Sequence, residues 1–160
     1  MRVREIMTKE VFTLRVDHKV DLADDIMNWQ RIRHIPVVDA KNHLVGLLTH
    51  RDLLKASVSS LARIPLKDQR ELYSHILVGD IMHKDIHTTS PDADLRDAAA
   101  IMIDDKIGCL PVVEAKKVVG ILTEADFLTL AWEAMDRNAD QKEFTSVRKY
   151  SKIRNVRSAP

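Results

Sequence analysis

One cysteine and four glycines stand in 160 residues, and aromatic side chains make up only 4%. A single cysteine, Cys109, cannot close an intrachain disulfide, so a stapled secreted scaffold is excluded and a reducing compartment is indicated. So few glycines leave no Gly-rich loop to cradle a phosphate, and no Walker loop, nucleophile elbow or Cys-x-x-Cys pair occurs. Charge of one sign is lacking too. Lys and Arg number 25 against 24 Asp and Glu, a net of +1, where a dedicated DNA-binding domain would be clearly basic. No apolar run approaches the roughly 18 residues of a bilayer span. The start, Met1-Arg2-Val3-Arg4-Glu5, has no apolar stretch like that of a signal peptide. What is present is 45% hydrophobic and 31% charged, the balance of a packed domain of ordinary size. A cytoplasmic protein without membrane attachment is expected.

Sliding the chain against itself by 75 positions brings matches into order. Val3, Ile6 and Met7 meet Val78, Ile81 and Met82; Thr13 meets Thr88; Asp17 meets Asp92. Ile26-Met27 meets Ile101-Met102, Ile32 meets Ile107, Pro36-Val37-Val38 meets Pro111-Val112-Val113, and Ala40-Lys41 meets Ala115-Lys116. After one deletion the offset is 74, and Val45-Gly46, Thr49 and Asp52 meet Val119-Gly120, Thr123 and Asp126. The chain is a tandem duplication.

Each copy reads β-α-β-β-α. An extended piece (Val11-Phe12-Thr13; Ile86-His87-Thr88) precedes a helix with three-four apolar spacing. That spacing is carried by Val20, Ala23, Ile26, Met27 and Gln30 in the first copy and by Leu95, Ala98, Ala99 and Met102 in the second. Two apolar runs about a polar turn then form a hairpin, 35–48 and 110–122. Thr49 and Thr123 sit where an N-cap belongs, opening helices with Leu53, Leu54 and Phe127, Leu128 on one face. Runs this apolar predict sheets covered by helices. Between the copies, a short helix is expected over Leu66–Tyr73, after Pro65. From Lys142 onward six basic residues face one acid, so a tail at +5 offsets a body at −4.

Ile-Met, a Pro-Val-Val hairpin and Gly-hydrophobic-hydrophobic-Thr-x-x-Asp, all in duplicate, resemble a pair of CBS domains, the family named after cystathionine beta-synthase. The paired unit is often called a Bateman module. The resemblance covers roughly residues 1–135 and predicts an α/β (α+β) fold: a first domain at 1–58, a helical linker at 59–75, a second domain at 76–135 and a basic tail at 136–160. It implies two clefts about a pseudo-twofold axis, a homodimer of modules, an unidentified downstream protein, and regulatory binding of adenosine-containing ligands (AMP, ADP, ATP or S-adenosylmethionine) without catalysis. Carried over position by position, one cleft combines Arg33, His34, Leu47, Thr49, Arg51 and Asp52 with Lys84, Ile86 and Ile107. The other combines Cys109, Ile121, Thr123 and Asp126 with Lys9, Val11 and Ile32. Family members often place basic residues before the hairpin proline. Arg33-His34 do so, as do His50-Arg51 at the helix start, whereas Gly108-Cys109 and Glu124-Ala125 do not. The Arg33/Asp52 cleft is therefore expected to hold phosphorylated ligands more tightly.

The chemistry fits independently. Helix starts suit phosphate, an aspartate can accept two ribose hydroxyls, threonine can donate to oxygen, and Leu47, Ile121, Ile32 and Ile107 offer dry walls to an adenine. Thr-x-x-Asp is equally a capping box that needs no ligand, and both roles can coexist. His83 and His87 flank a strand entry without a third ligand at diagnostic spacing, so no metal is expected and a surface loop is the plainer reading. Cys109 reads as a small buried hydrophobe or a reactive thiol. Paired acids such as Asp24-Asp25 and Asp104-Asp105 read as solvated helix positions. Nothing supports an enzyme. The tail reads as a solvated terminus, or as a helix docking Val147, Tyr150, Ile153 and Val156 on a dimer partner; its sharper reading is a nucleic-acid-binding arm, otherwise not expected. The alternative to a sensor is a constitutive dimerisation adapter with vestigial clefts.

Overall fold

A computed structural model describes residues 1–56 and 66–138. The expectations placed on the tail from Lys142 onward, and on the linker before Leu66, fall outside the described residues. The chain divides into two compact units, Met1–Asp126 and Phe127–Pro160.

The first unit holds the first copy and the second as far as the start of its last helix. After a 3-10 turn at Val3–Glu5 come β1 (Leu14–Arg15), α1 (Val20–Gln30), β2 (His34–Val38), β3 (Leu44–Thr49) and α2 (His50–Ala56). Then follow α3 (Leu66–Tyr73), α4 (Val78–Ile81), α5 (Leu95–Asp104), β4 (Cys109–Glu114), β5 (Lys117–Thr123) and the start of α6 (Glu124–Asn138). The order of helices and strands is that of an α+β fold, built twice. In the second unit, the described part of α6 leaves Leu128 and Met135 exposed.

The helices and hairpins stand where the periodicity put them. In α1, Val20, Ala23 and Met27 are buried on one face, and in α5 Leu95, Ala98 and Met102 are. Asp94 caps α5 by accepting the Arg96 N–H at 2.9 Å. Both hairpins share one register: Pro36 faces Leu47 and Val37 faces Gly46, as Pro111 faces Ile121 and Val112 faces Gly120. Each slips at the next residue, so the duplication extends to the irregularity.

Three expectations are corrected. The first strand lies at Leu14–Arg15, not at Val11-Phe12-Thr13, and pairs in parallel with Val37 and Val38. Its counterpart is a single bridge from Thr89 to Val112, not a strand at Ile86-His87-Thr88. The reason is packing: Val11 and Ile86 are drawn into a cluster with Leu47, Cys109 and Ile121. Helices cover only one face of the hairpins. Ile35, Val37 and Leu48 pack with Val20, Ala23, Met27, Leu53, Tyr73 and Val78 of the helices. Leu47, pointing the opposite way from Leu48, instead meets Cys109 and Ile121 of the other hairpin. Finally, Leu53 is buried while Leu54 is 57% exposed, because successive helical residues lie about 100° apart and cannot share a face.

The copies are interlocked. Val78 of α4, with Ile76, Ile81 and Met82, packs in the core of the first copy, and His83 exchanges both backbone hydrogen bonds with Leu47 of β3 at 2.9 Å. Reciprocally, the amino-terminal segment serves the second copy. Val3 N–H donates to Ala93, Leu95 N–H to Met1, and Thr8 exchanges backbone bonds with Ile121 of β5. Val3 and Val78 are fully buried, each contributing about 1.5–3 kcal/mol from burial. The linker helix is tied in as well, since the buried Tyr73 donates its hydroxyl to the Leu53 carbonyl at 2.9 Å.

Candidate functional site

Each hairpin ends on a threonine and turns directly into a helix whose third residue is an aspartate. In the first copy, Asp52 Oδ2 accepts the Thr49 N–H at 2.9 Å and the Thr49 hydroxyl at 2.6 Å, and Asp52 N–H donates back to Thr49 Oγ1 at 3.3 Å. This is the capping box. In the second, Asp126 Oδ2 accepts the Thr123 N–H and hydroxyl, both at 2.7 Å. Capping consumes one oxygen of each carboxylate. The other oxygen faces the segment that crosses over from the sister copy: Asp52 Oδ1 contacts His83 Nε2 at 2.8 Å, and Asp126 Oδ1 accepts the Thr8 hydroxyl at 3.3 Å. Asp52 is the buried charged residue of the described core, and its three donors account for that burial.

Thr8 is not singled out in the sequence, and His83 is weighed there only as a metal ligand or a surface-loop residue. The signal was present, since both follow Ile-Met and stand 75 residues apart. What the pattern could not show was that each reaches the other copy's aspartate. His83 does lie in a surface loop, with its side chain 53% exposed, yet its ring is bonded to Asp52. His87 instead pairs with Asp105 at 3.4 Å. Among the described residues no group of three or more His, Cys, Asp or Glu side chains is placed to hold a metal ion.

The apolar walls converge. Leu47 and Ile86, expected in one cleft, and Val11, Cys109 and Ile121, expected in the other, form one cluster. Ile32 packs against the core of the first copy, and Ile107 is half-buried. Glycine clears the way for the crossing segments. A Cβ at Gly46 would lie 2.6 Å from Met82 Sδ and 2.8 Å from the His83 carbonyl oxygen. One at Gly120 would lie 2.6 Å from Met7 Sδ and 3.1 Å from the Thr8 carbonyl oxygen.

The basic residues are distributed unevenly. Arg33, Arg51, Lys84 and Lys9 are exposed, and the Arg33 carbonyl accepts the His50 N–H at 2.9 Å. His34 is half-buried beside Gly108, where a Cβ would come within 3.2 Å of its ring and 3.6 Å of a Glu124 carboxylate oxygen. Burial holds the His34 pKa below its ordinary value against the raising effect of Glu124. The same burial, aided by Glu124, pushes the Cys109 thiol up to about 12. Cys109 is thus a neutral, small apolar side chain in the wall, and the reactive-thiol reading falls.

Comparison with known proteins agrees with this architecture. The chain matches the CBS domain family over residues 3–59 and 78–133. It is 30% identical over 150 residues to an uncharacterized protein of Methanocaldococcus jannaschii, covering 91% of this chain and spanning 50% of that relative. Among solved structures it is similar to the CBS domain pair of protein MJ0100 in complex with 5′-methylthioadenosine and S-adenosyl-L-methionine, with a TM-score of 0.69 and 27% identity over 84% of this chain and 98% of that one. It is also similar to CBSX2 in complex with AMP, with a TM-score of 0.68 and 26% identity over 82% of this chain and 97% of that one. Duplicated hairpins, exchanged amino-terminal segments and paired Thr-x-x-Asp sites thus accompany a family match in both halves, and the chain belongs to the CBS domain family as a tandem pair.

Proposed function

We propose that this CBS pair is a regulatory module that senses adenosine-containing ligands, AMP, ADP, ATP or S-adenosylmethionine, in two clefts between its copies. The observation that carries the reading is the duplicated aspartate, capped on one oxygen and presenting the other toward the sister copy beside a shared apolar wall. The first cleft joins Thr49, Asp52, Leu47, Arg33, His34 and Arg51 to Lys84, Ile86 and Ile107. The second joins Thr123, Asp126, Cys109 and Ile121 to Lys9, Val11 and Ile32. Ribose hydroxyls donate to the aspartates, the adenine lies against the apolar wall, and phosphate is drawn to the Arg33 side of the first cleft. The complexes of the MJ0100 pair and of CBSX2 support this ligand class. A ligand spanning both copies binds one arrangement better than another, and that difference in affinity is the signal passed to a downstream protein.

The module acts in the cytoplasm as a homodimer. Exposed apolar residues on two helices, Trp29 at 84% and Ile103 at 73%, support a surface for a second copy. Among the described residues, no helix is long and apolar enough to cross a membrane. Thermal unfolding with AMP, ADP, ATP, S-adenosylmethionine and NAD tests the sensing role. A ligand at 100 times its Kd stabilises the folded state by about 2.7 kcal/mol, so one adenosine compound is expected to raise the Tm by several degrees. No shift with any of them at millimolar concentration assigns the chain to the adapter class instead.

A further inference from the structure

The two aspartates differ in what remains of them for a ligand. Their Oδ2 atoms are spent alike, each on the N–H and hydroxyl of the capping threonine. A ribose with two hydroxyls to donate must therefore use Oδ1. In the first cleft that atom already takes His83 Nε2 at 2.8 Å, in the range of a charge-assisted hydrogen bond. In the second it takes the Thr8 hydroxyl at 3.3 Å, longer than an ordinary O–H···O contact. Burial runs in parallel, for the Asp52 side chain is 3% exposed, whereas Asp126 is of intermediate exposure. The two occupants also differ in kind. A threonine hydroxyl rotates and can accept a ribose hydroxyl instead of donating to the carboxylate. An imidazole nitrogen that donates to Asp52 cannot also accept there, so His83 must swing out.

We infer that His83 is the specificity-determining residue of the pair: it occupies the ribose-accepting oxygen of the first cleft, so that an adenosine without phosphate fills the second cleft first. The first cleft admits a ligand only by displacing His83. The half-exposed side chain leaves His83 room to move, and the phosphate attraction of Arg33 and Arg51 offsets the loss of its bond. The inference rests on the reading of both clefts as adenosine sites.

Calorimetric titration of the full chain with adenosine at fixed pH and salt tests it, since adenosine carries no phosphate to engage the first cleft. The native chain is expected to bind one adenosine, lost on Asp126→Ala. His83→Thr, which installs the residue of the other copy, is expected to open a second site by raising first-cleft affinity about tenfold, the scale of one hydrogen bond to a charged group. Thr8→His is expected to weaken the second site by a similar factor. Two equal sites in the native chain, or no change on His83→Thr, overturns the inference while leaving the adenosine reading standing. No binding of either adenosine or AMP by the native chain and His83→Thr overturns both. A measurement on the native chain alone guards against misfolded variants. With histidine labelled by nitrogen-15, the His83 Nε2 resonance should stay in place through the first equivalent of adenosine, and movement at that point contradicts the assignment.

Discussion

Replacing Gly46 by alanine puts the interlock of the two copies under direct stress. The added Cβ would meet Met82 Sδ at 2.6 Å and the His83 carbonyl oxygen at 2.8 Å. A methionine side chain can bend away at little cost, but the His83 carbonyl cannot, because it accepts the Leu47 N–H while His83 N–H donates to Leu47, both at 2.9 Å. Overpacking of this kind costs about 1–3 kcal/mol. Neither Gly46 nor Gly120 has a positive φ, so alanine suits the backbone, and the less flexible unfolded chain returns about 0.4–1 kcal/mol. At Gly120 the equivalent carbonyl, of Thr8, would be 3.1 Å away, a contact relieved by a few tenths of an ångström. Gly46→Ala should therefore destabilise by about 1–1.5 kcal/mol net and lower the Tm by roughly 3–5 °C, whereas Gly120→Ala should leave stability close to that of the native chain. Urea unfolding at 25 °C measures both. Equal effects, or a larger loss at Gly120, would refute the argument that the crossing segment at His83 is the tighter of the two.

Three further outcomes follow from single features. The β4–β5 hairpin turns on Ala115 and Lys116 at φ 47° and 69°, so the pair Ala115→Asn with Lys116→Gly should stabilise by about 1 kcal/mol, read as a rise in urea midpoint; no rise contradicts the turn assignment. Cys109, with its thiol pushed up to about 12, should resist a thiol reagent at pH 8 in the native chain and react fully in urea; rapid native reaction contradicts its burial. The His34 pKa lies below its ordinary 6.5 in the folded chain, so its contribution to stability is fully present above about pH 6.5 and is lost as pH falls through the folded value. His34→Gln should flatten the decline in stability between pH 7 and pH 5, and an unchanged slope contradicts the assignment.

What could be read from the sequence was local periodicity. The buried face of α1 and both hairpins follow from apolar spacing that a helix or strand turns toward one side, and the short helix Leu66–Tyr73 begins after Pro65 as expected. Hidden from that reading was which partner each face meets. Val3 and Val78 look like the opening residues of their own copies, yet each completes the other copy's half. Helix ends escaped too. α1 is followed by Arg31 at φ 55°, and Lys106 near the end of α5 stands at φ 53°, without the glycine that marks such a position. At the candidate site, the two Thr-x-x-Asp pairs were legible because capping acts over three residues. Their contacts with His83 and Thr8 span 31 and 118 residues and depend on the exchange.

A crystal structure grown with millimolar AMP is the sharpest check on adenosine sensing by this pair. Nucleotide density should lie between the copies, with ribose on Asp126 or, where His83 has swung aside, on Asp52, and the adenine against the wall of Leu47, Ile121, Val11 and Ile86. Density confined to another surface, or both clefts empty with the Asp52–His83 contact intact, would contradict it.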